Sequence, residues 1–258
     1  MLSRASALAC LAAANLTLSF GLLDAAPQQA PTAGAQPAVA EGRAGGRAPT
    51  NDPTQDWANL GRYRAANAAL GAPTPGQARV VFMGDSITDS WARQNFFPGK
   101  PYVGRGISGQ TTPQMLVRFR QDVVALQPRV VVILAGTNDI AGNTGPSTIE
   151  MIADNLMSMA DIARANGIRV VLASVLPASD FPWRRGLDPG PKIVELNRWI
   201  KDYAARSGFV YLDYHSALVD DKLGMRVEHS KDGVHPTPAG YAVMAPIAER
   251  AIAQALGN

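Results

Sequence analysis

A serine, a histidine and an aspartate of this chain stand where they could form a nucleophilic site. Ser86 lies in the segment 84–88, GDSIT, directly after the apolar run 80–83. Such a run predicts a buried strand, and the tight turn after a strand is where an α/β protein displays a nucleophile. Asp232 and His235 lie three residues apart near the C-terminal end. A serine hydroxyl needs an imidazole to take its proton, and the imidazole needs an acceptor to fix its tautomer, so these three residues are typical of a hydrolase.

Each of these residues also has an ordinary structural interpretation. Ser86 could be a helix N-cap, which is the commoner use of serine at a strand-to-helix turn. Asp232 could cap its own turn, because Asp-Gly is turn chemistry. The other two histidines, His215 and His229, lack the proline-bounded loop that surrounds His235 and are interpreted as ordinary polar residues.

Two further segments each follow a predicted strand: 104–112, GRGISGQTT, and 136–139, GTND. With Ser86, Gly109, Asn138 and His235 in this order, the chain resembles the SGNH hydrolases, the GDSL-type esterases and lipases. The resemblance covers residues 79 to 256. One such segment alone is weak evidence, but four in family order, each after a suitable strand, are specific.

The resemblance implies a serine ester hydrolase that works through an acyl-enzyme without a metal or cofactor. Ser86 would attack, His235 would transfer the proton and Asp232 would orient the imidazole. The oxyanion hole would consist of the backbone N–H groups of Ser86 and Gly109 and the side-chain amide of Asn138.

Two neighbouring features need separate interpretation. Gly106 lies close to Gly109 and is expected to relieve backbone crowding rather than to bind the oxyanion. Asp85 and Asp139 could be taken for metal ligands together with His235, but the sequence offers no second histidine at ligand spacing, which disfavours a metal site.

The substrate-binding residues are not determined by the sequence. The loop 176–185 follows the fourth predicted strand on the active-site side, and its candidates for substrate contact are Phe181, Trp183 and Arg184. The aromatic side chains could stack on a sugar or line an acyl channel, and they could equally anchor the loop to the domain. Trp91, Phe96 and Phe97 are expected to be packing residues.

Short acyl groups, such as acetyl on a small-molecule or glycan ester, are the first expectation because no long apolar lid segment is visible. A lysophospholipase or thioesterase resembles the family equally well. A non-catalytic carbohydrate- or lipid-binding module is disfavoured by the four intact motif residues. A flavin- or nucleotide-binding domain of the same topology is disfavoured because an acidic residue stands where a phosphate-binding loop would lie.

The elements that must position these residues are predicted by periodicity. Apolar runs without alternation indicate a parallel sheet covered on both faces. They occur at residues 79–83, 102–103, 129–134, 168–175 and 209–212. The intervening segments have helical spacing, and ligands of such sheets bind beyond the carboxyl ends of the strands. The resemblance further implies an α/β fold: a three-layer α/β/α sandwich with a flavodoxin-like parallel sheet of about five strands.

The N-terminal part of the chain has a different composition. Residues 1–26 resemble a secretory signal peptide, with an uncleaved membrane anchor as the alternative. Cys10, the only cysteine, lies too early for a lipoprotein signal. Residues 27–53 are rich in Ala, Pro and Gly and are expected to be a disordered spacer. Secretion or a periplasmic location follows, without stable membrane insertion after cleavage.

Residues 54–258 are expected to form the SGNH hydrolase domain with an N-terminal accessory helix. That helix is predicted over residues 52–70, through Trp57, Leu60, Tyr63 and Leu70, and either packs on the domain or binds a partner. The net charge is +3 and the basic residues are scattered, which disfavours a nucleic-acid partner. The sequence does not predict an oligomeric state.

Overall fold

Five parallel strands form one sheet in the part of the chain that the structure, a computed structural model, describes: residues 56–94 and 96–257. The strands are β1 (Val80–Gly84), β2 (Tyr102–Gly106), β3 (Val130–Leu134), β4 (Arg169–Ala173) and β5 (Val210–Leu212). Their order is β2-β1-β3-β4-β5. This is the flavodoxin-like order, so the predicted fold is confirmed.

Helices connect the strands and cover both faces of the sheet. They are α1 (Arg64–Leu70), α2 (Ser86–Ala92), α3 (Thr112–Asp122), α4 (Thr137–Ile140), α5 (Ile149–Ala165), α6 (Pro189–Ser207), α7 (His215–Leu218) and α8 (Pro238–Leu256). A short 3-10 helix, Val124–Leu126, follows α3. Thr237 caps α8 by accepting a hydrogen bond from the backbone of Gly240, and proline follows at the first helical position.

Successive residues of β1 contribute to two different cores. Val81 and Met83 pack with the apolar faces of α3, α5 and α6, whereas Val80 and Phe82 pack with α2 and α8. Because side chains of a strand alternate between the two faces, a strand covered on both sides is apolar throughout. The uninterrupted apolar run before Ser86 is therefore a consequence of the three-layer architecture.

The predicted signal peptide (residues 1–26) and spacer (residues 27–53) lie outside the described residues, and both assignments stay predictions. Within the described part of the chain, no helix combines the length and apolar character that crossing a membrane requires.

The accessory helix is shorter than predicted. Residues 56–63 form turns, and the helix α1 begins only at Arg64. The Asp56 carboxylate accepts hydrogen bonds from the backbone N–H groups of Leu60 and Gly61, at 2.7 and 2.8 Å. Asn59 has a φ of 54°, a left-handed conformation that a right-handed helix does not contain. We call residues 56–70 the accessory segment.

The accessory segment packs on the domain through polar contacts. The Tyr63 hydroxyl donates to the Gly106 carbonyl at the end of β2. Asn67 Nδ2 donates to Asp122 Oδ1 at 2.7 Å. Of the two alternatives for this segment, packing on the domain and binding a partner, the structure supports packing on the domain.

A buried ion pair lies where the accessory segment meets the domain. Arg118 and Asp122, both on α3, are fully buried, and their side chains approach to 3.1 Å. Arg118 also donates to the Gly84 carbonyl at 2.9 Å and to Gln110 Oε1 at 2.5 Å. The guanidinium therefore connects the end of β1 with the loop that carries Gly109.

Replacing Asp122 by alanine should lower the free energy of unfolding by roughly 3–5 kcal/mol, because it leaves a buried guanidinium without its counter-charge. Urea unfolding would measure this loss. Asp161→Ala is the matched control, since Asp161 forms an exposed pair with Arg164 at 2.6 Å and should cost far less. Equal losses in the two variants would contradict the structural importance of the buried pair.

Candidate active site

The turn after β1 leaves the Ser86 hydroxyl free for chemistry. The residue that caps α2 is Asp85, whose side chain accepts a hydrogen bond from the Ile87 backbone at 3.0 Å. The alternative in which Ser86 is the N-cap is therefore wrong, and Ser86 is the first residue of the helix. Asp85 is buried, and this burial raises its pKa to about 6.

Glycine at position 106 lets β2 approach this turn closely. A Cβ atom on Gly106 would lie 2.1 Å from the Asp89 backbone nitrogen and 2.6 Å from the Asp85 carbonyl oxygen. No side chain fits there, which confirms that Gly106 relieves crowding. Gly109, in contrast, has a φ of 79°, and a Cβ atom there would meet only Asn143 Nδ2, at 4.0 Å.

Ser86, His235 and Asp232 form a continuous chain of hydrogen bonds. Ser86 Oγ lies 2.9 Å from His235 Nε2, and His235 Nδ1 lies 2.6 Å from Asp232 Oδ2. Because an ionised carboxylate only accepts hydrogen bonds, the ring proton lies on Nδ1. Nε2 then carries the lone pair that can accept the serine proton.

Asp232 performs both of the roles that its sequence context allows. Its Oδ1 caps the turn by accepting from the backbone N–H groups of Val234 and His235, at 3.0 and 2.8 Å, while Oδ2 holds the imidazole. Desolvation on its own would raise the pKa of Asp232, but the hydrogen bonds from His235 and Val234 outweigh it and lower the pKa to about 2.

The other two histidines lie outside this chain of hydrogen bonds. His215 Nε2 and His229 Nδ1 are buried and have no hydrogen-bond partner among residues 56–94 and 96–257. Burial lowers the pKa of His215.

The structure brings the four motif residues to one cleft of about 490 Å³. The lining residues are Ser86, Ser90, Ser108, Gly109, Asn138, Asn143, Trp183 and His235. Three of the four motif residues follow the ends of β1, β2 and β3, and parallel strands end at the same edge of a sheet. The strand order reverses between β1 and β3, which is where ligands bind in such folds.

Asn143 is a site residue that sequence reasoning missed. Its Nδ2 donates to Asn138 Oδ1 at 2.8 Å and to the Gly109 carbonyl at 3.2 Å, and its Oδ1 accepts from Trp183 Nε1 at 3.1 Å. Asn143 thus connects two of the expected oxyanion-hole residues to the loop 176–185. It follows the short helix α4 rather than a strand, so no strand-end signal pointed to it.

The three substrate-binding candidates of that loop have different environments. Phe181 is fully buried and stacks on Trp183, with ring centroids 5.1 Å apart. Arg184 donates to the Gly142 carbonyl at 2.9 Å. Trp183 is 44% exposed, and its ring lies 6.2 Å from that of His235. Phe181 and Arg184 therefore anchor the loop, and Trp183 lines the cleft.

The aromatic residues after Ser86 form a packed cluster, as expected. Trp91 and Phe97 are buried, and their ring centroids lie 5.0 Å apart. Phe82 of β1 and Phe96 belong to the same cluster.

The two aspartates of the alternative metal site are engaged elsewhere. The Asp139 carboxylate accepts from the backbone N–H and the hydroxyl of Thr112, at 3.0 and 2.6 Å. Burial raises the pKa of Asp139. In the part of the chain that the structure describes, no three His, Cys, Asp or Glu side chains cluster as a metal site requires.

The chain is similar to lipases and esterases, which agrees with a site that contains a serine, a histidine and an aspartate. The chain is similar to a GDSL-like lipase from Bacteroides thetaiotaomicron, with a TM-score of 0.75 and 46% identity, covering 77% of this chain and 99% of that one. It is 29% identical to the esterase TesA of Pseudomonas aeruginosa over 179 residues, covering 67% of this chain and 76% of TesA.

A third relative is the uncharacterized lipoprotein YqeF of Bacillus subtilis, which is 29% identical over 174 residues. The match covers 60% of this chain and spans 63% of the length of YqeF. The model of the GDSL-like lipase/acylhydrolase family matches residues 82–243, which is more than half of the chain and includes all four motif residues. The chain therefore belongs to the GDSL-like lipase/acylhydrolase family.

Proposed function

We propose that the protein is an extracytoplasmic serine ester hydrolase that removes short acyl groups through an acyl-enzyme. The observation that carries this proposal is the hydrogen-bonded chain from Ser86 through His235 to Asp232. Family membership supports an esterase or acylhydrolase activity, and the substrate and mechanism are our inference.

In the proposed mechanism, Ser86 Oγ attacks the ester carbonyl while His235 Nε2 takes the hydroxyl proton. The C–O bond of the leaving alcohol breaks, and the imidazolium returns the proton to the alkoxide. A water molecule then attacks the acyl-enzyme and loses a proton to His235. The bond between the acyl carbon and Ser86 Oγ breaks, the imidazolium returns the proton to Oγ, and the acid leaves. Asp232 keeps the ring in the required tautomer and stabilises the imidazolium.

The negative charge on the carbonyl oxygen needs donors that are already in place. We assign this role to the backbone N–H groups of Ser86 and Gly109 and to Asn138 Nδ2. Asn138 Nδ2 donates to the Gln110 carbonyl at 3.0 Å and makes a longer contact of 3.3 Å to Asp85 Oδ2. Both hydrogens of the amide therefore have partners, and donation to the oxyanion requires one of these two contacts to be exchanged.

Asn138→Ala should therefore lower kcat by roughly 10²–10³-fold with little change in KM, because the lost donor acts on charge that develops in the transition state. Steady-state kinetics on a short-chain ester would measure both constants. Asn138→Leu is the matched variant, since it keeps the approximate size of the side chain and removes the donor without adding a charge. A loss confined to KM would instead place Asn138 in substrate binding.

The lining of the cleft favours a short acyl group. Polar side chains and glycine form most of this lining, and Trp183 contributes the exposed aromatic surface. A long acyl chain would need an extensive apolar contact to bind well. We therefore infer a preference for acetyl and similarly short esters.

Hydrolysis of a chromogenic ester series from acetyl to palmitoyl tests the proposed function, with Ser86→Ala as the control for enzyme-dependent turnover. We expect kcat/KM to be highest for the shortest esters. Highest activity on palmitoyl esters would favour a lysophospholipase, and highest activity on acyl thioesters would favour a thioesterase.

Activity should survive exhaustive treatment with EDTA, since the proposed route uses no cation. Added divalent metals should not stimulate it. Loss of activity that an added metal restores would favour the alternative site of Asp85, Asp139 and His235.

The proposed location rests on the resemblance of residues 1–26 to a signal peptide and on similarity to a lipoprotein of Bacillus subtilis. Cell fractionation of the full chain, followed by N-terminal sequencing of the mature protein, tests it. A mature N-terminus after residue 26 is expected, whereas an uncut protein in the membrane fraction would favour the anchor.

A further inference from the structure

A second cleft, of about 630 Å³, lies beside the catalytic cleft, and the accessory segment forms one of its walls. From this segment the cleft is lined by Asp56, Trp57, Asn59 and Arg62. Asp89 and Arg93, together with the loop that carries Ser108 and Gly109, line the other side. We call this the accessory cleft.

The accessory cleft and the catalytic cleft adjoin each other at one loop. Ser108 and Gly109 line both of them, so one loop separates the Ser86 hydroxyl from the surface of the accessory segment. The accessory cleft is therefore a neighbouring surface that a substrate could contact beyond the ester bound at Ser86.

The charges in the accessory cleft balance. Asp89 is buried and pairs with Arg93, and Arg62 lies 3.7 Å from the same carboxylate. Ser108 Oγ donates to Asp89 at 3.0 Å. Two carboxylates and two guanidinium groups line the cleft, so neither an anion nor a cation gains from a net local charge.

The groups that remain accessible match a polar ligand without charge. The side chain of Arg62 is 42% exposed and that of Arg93 is 62% exposed, which leaves guanidinium N–H donors facing solvent. Trp57 is 44% exposed and offers an aromatic face. A sugar has hydroxyl groups that accept hydrogen bonds from such donors, and the C–H groups of its ring face pack on an aromatic ring. A sugar can therefore use both the guanidinium donors and the aromatic face of this cleft.

We propose that the accessory cleft binds the carbohydrate chain of an O-acylated oligosaccharide. Trp57 packs on a sugar ring, Arg62 and Arg93 donate hydrogen bonds to its hydroxyls, and the acyl ester lies at Ser86. This assignment rests on the proposed ester hydrolysis and adds the chemical class of the leaving alcohol. It also gives the accessory segment a function, since without that segment the cleft has no second wall.

Two measurements on the full chain test the proposal. The first is the ratio of kcat/KM for acetylated xylo-oligosaccharides to kcat/KM for 4-nitrophenyl acetate. In Trp57→Ala and Arg62→Gln this ratio should fall by about tenfold, mainly through KM, as expected for the loss of one good contact. Trp57→Phe, which keeps an aromatic face, should retain most of the wild-type ratio.

Arg120→Gln is the matched control, because Arg120 lies on the exposed side of α3, away from both clefts. It should keep the wild-type ratio. Urea unfolding of every variant separates a local effect from a loss of folded protein. A wild-type ratio in folded Trp57→Ala and Arg62→Gln would overturn the proposal.

The second measurement is calorimetric binding of xylo-oligosaccharides that carry no ester, which does not depend on activity. Binding that Trp57→Ala weakens supports the proposal even if the wild type hydrolyses no ester, in which case only the proposed function fails. Hydrolysis of 4-nitrophenyl acetate without any Trp57-dependent binding of the oligosaccharide overturns the inference alone. Tighter binding of an oligouronate than of the neutral chain would overturn the assignment to an uncharged ligand.

Discussion

Ser86→Ala is expected to lower kcat by several orders of magnitude, up to about 10⁶-fold, because it removes the atom that forms the acyl-enzyme. The domain should remain folded, since Asp85 rather than Ser86 caps α2 and the Ser86 hydroxyl bonds to His235. Steady-state kinetics on a short-chain ester would measure the loss, and circular dichroism would verify the fold.

A matched control lies one turn further along the same helix. Ser90 also lines the catalytic cleft but lies outside the hydrogen-bonded chain of Ser86, His235 and Asp232, so Ser90→Ala should affect kcat far less. A serine-directed phosphonate should label Ser86 in the wild type and leave Ser86→Ala unlabelled. Retention of most activity in folded Ser86→Ala would end the proposed mechanism.

The sequence predicts the sheet well because a strand that is buried on both faces has apolar residues at every position, and this pattern is visible locally. The strands β1 and β3 are continuous apolar runs, which is the pattern of a parallel sheet covered on both faces. The positions of Ser86, Gly109 and Asn138 follow from this, since each comes after a strand and parallel strands end at one edge.

Features that depend on tertiary contacts were harder to predict. Trp57, Leu60, Tyr63 and Leu70 have helical spacing, yet the Asp56 carboxylate binds the Leu60 and Gly61 amides and stops a helix from forming there. Propensity alone does not reveal this competition between side chain and backbone.

Burial of single side chains was equally difficult to anticipate. Arg118 would ordinarily be placed on the solvent side of α3, but it is fully buried because Asp122, Gln110 and the Gly84 carbonyl take up its donors. Phe181 and Trp183 are two residues apart in one loop. Phe181 is buried and anchors the loop, whereas Trp183 is exposed and lines the cleft, and only the tertiary packing shows this difference.

Asp232→Asn should lower kcat by up to about 10⁴-fold, the size of effect seen when an orienting aspartate is replaced. An amide in place of Oδ2 can donate to Nδ1, and this would move the ring proton to Nε2, where it blocks proton transfer from Ser86. The loop should persist, because asparagine keeps an oxygen that can accept from Val234 and His235.

Asp220→Asn is the matched control for this variant. Asp220 caps its own turn by accepting from the backbone N–H groups of Lys222 and Gly224, both at 2.8 Å, and it holds no imidazole in the structure described. Kinetics on the same ester should show little change. A loss in Asp220→Asn as large as that in Asp232→Asn would mean that loop geometry, not the tautomer, explains the effect.

The proposed base also predicts the pH dependence. His235 must be neutral to accept the serine proton, so kcat/KM should rise with pH through one ionisation of the imidazole. Asp232, whose pKa lies at about 2, remains a carboxylate throughout the assay range. Asp85, whose pKa burial raises to about 6, is the competing assignment, and Asp85→Asn should leave the ionisation in place if it belongs to His235.

His235→Ala should be at least as damaging as Asp232→Asn, because it removes the group that takes the serine proton. Combining it with Ser86→Ala should add little, since either change alone already abolishes the same step and residues that act as a unit are not additive. Kinetics of the two single variants and the double variant measure this directly. A multiplicative loss in the double variant, or a pH profile that persists without His235, would sink the assignment and leave His215 or His229 as the base.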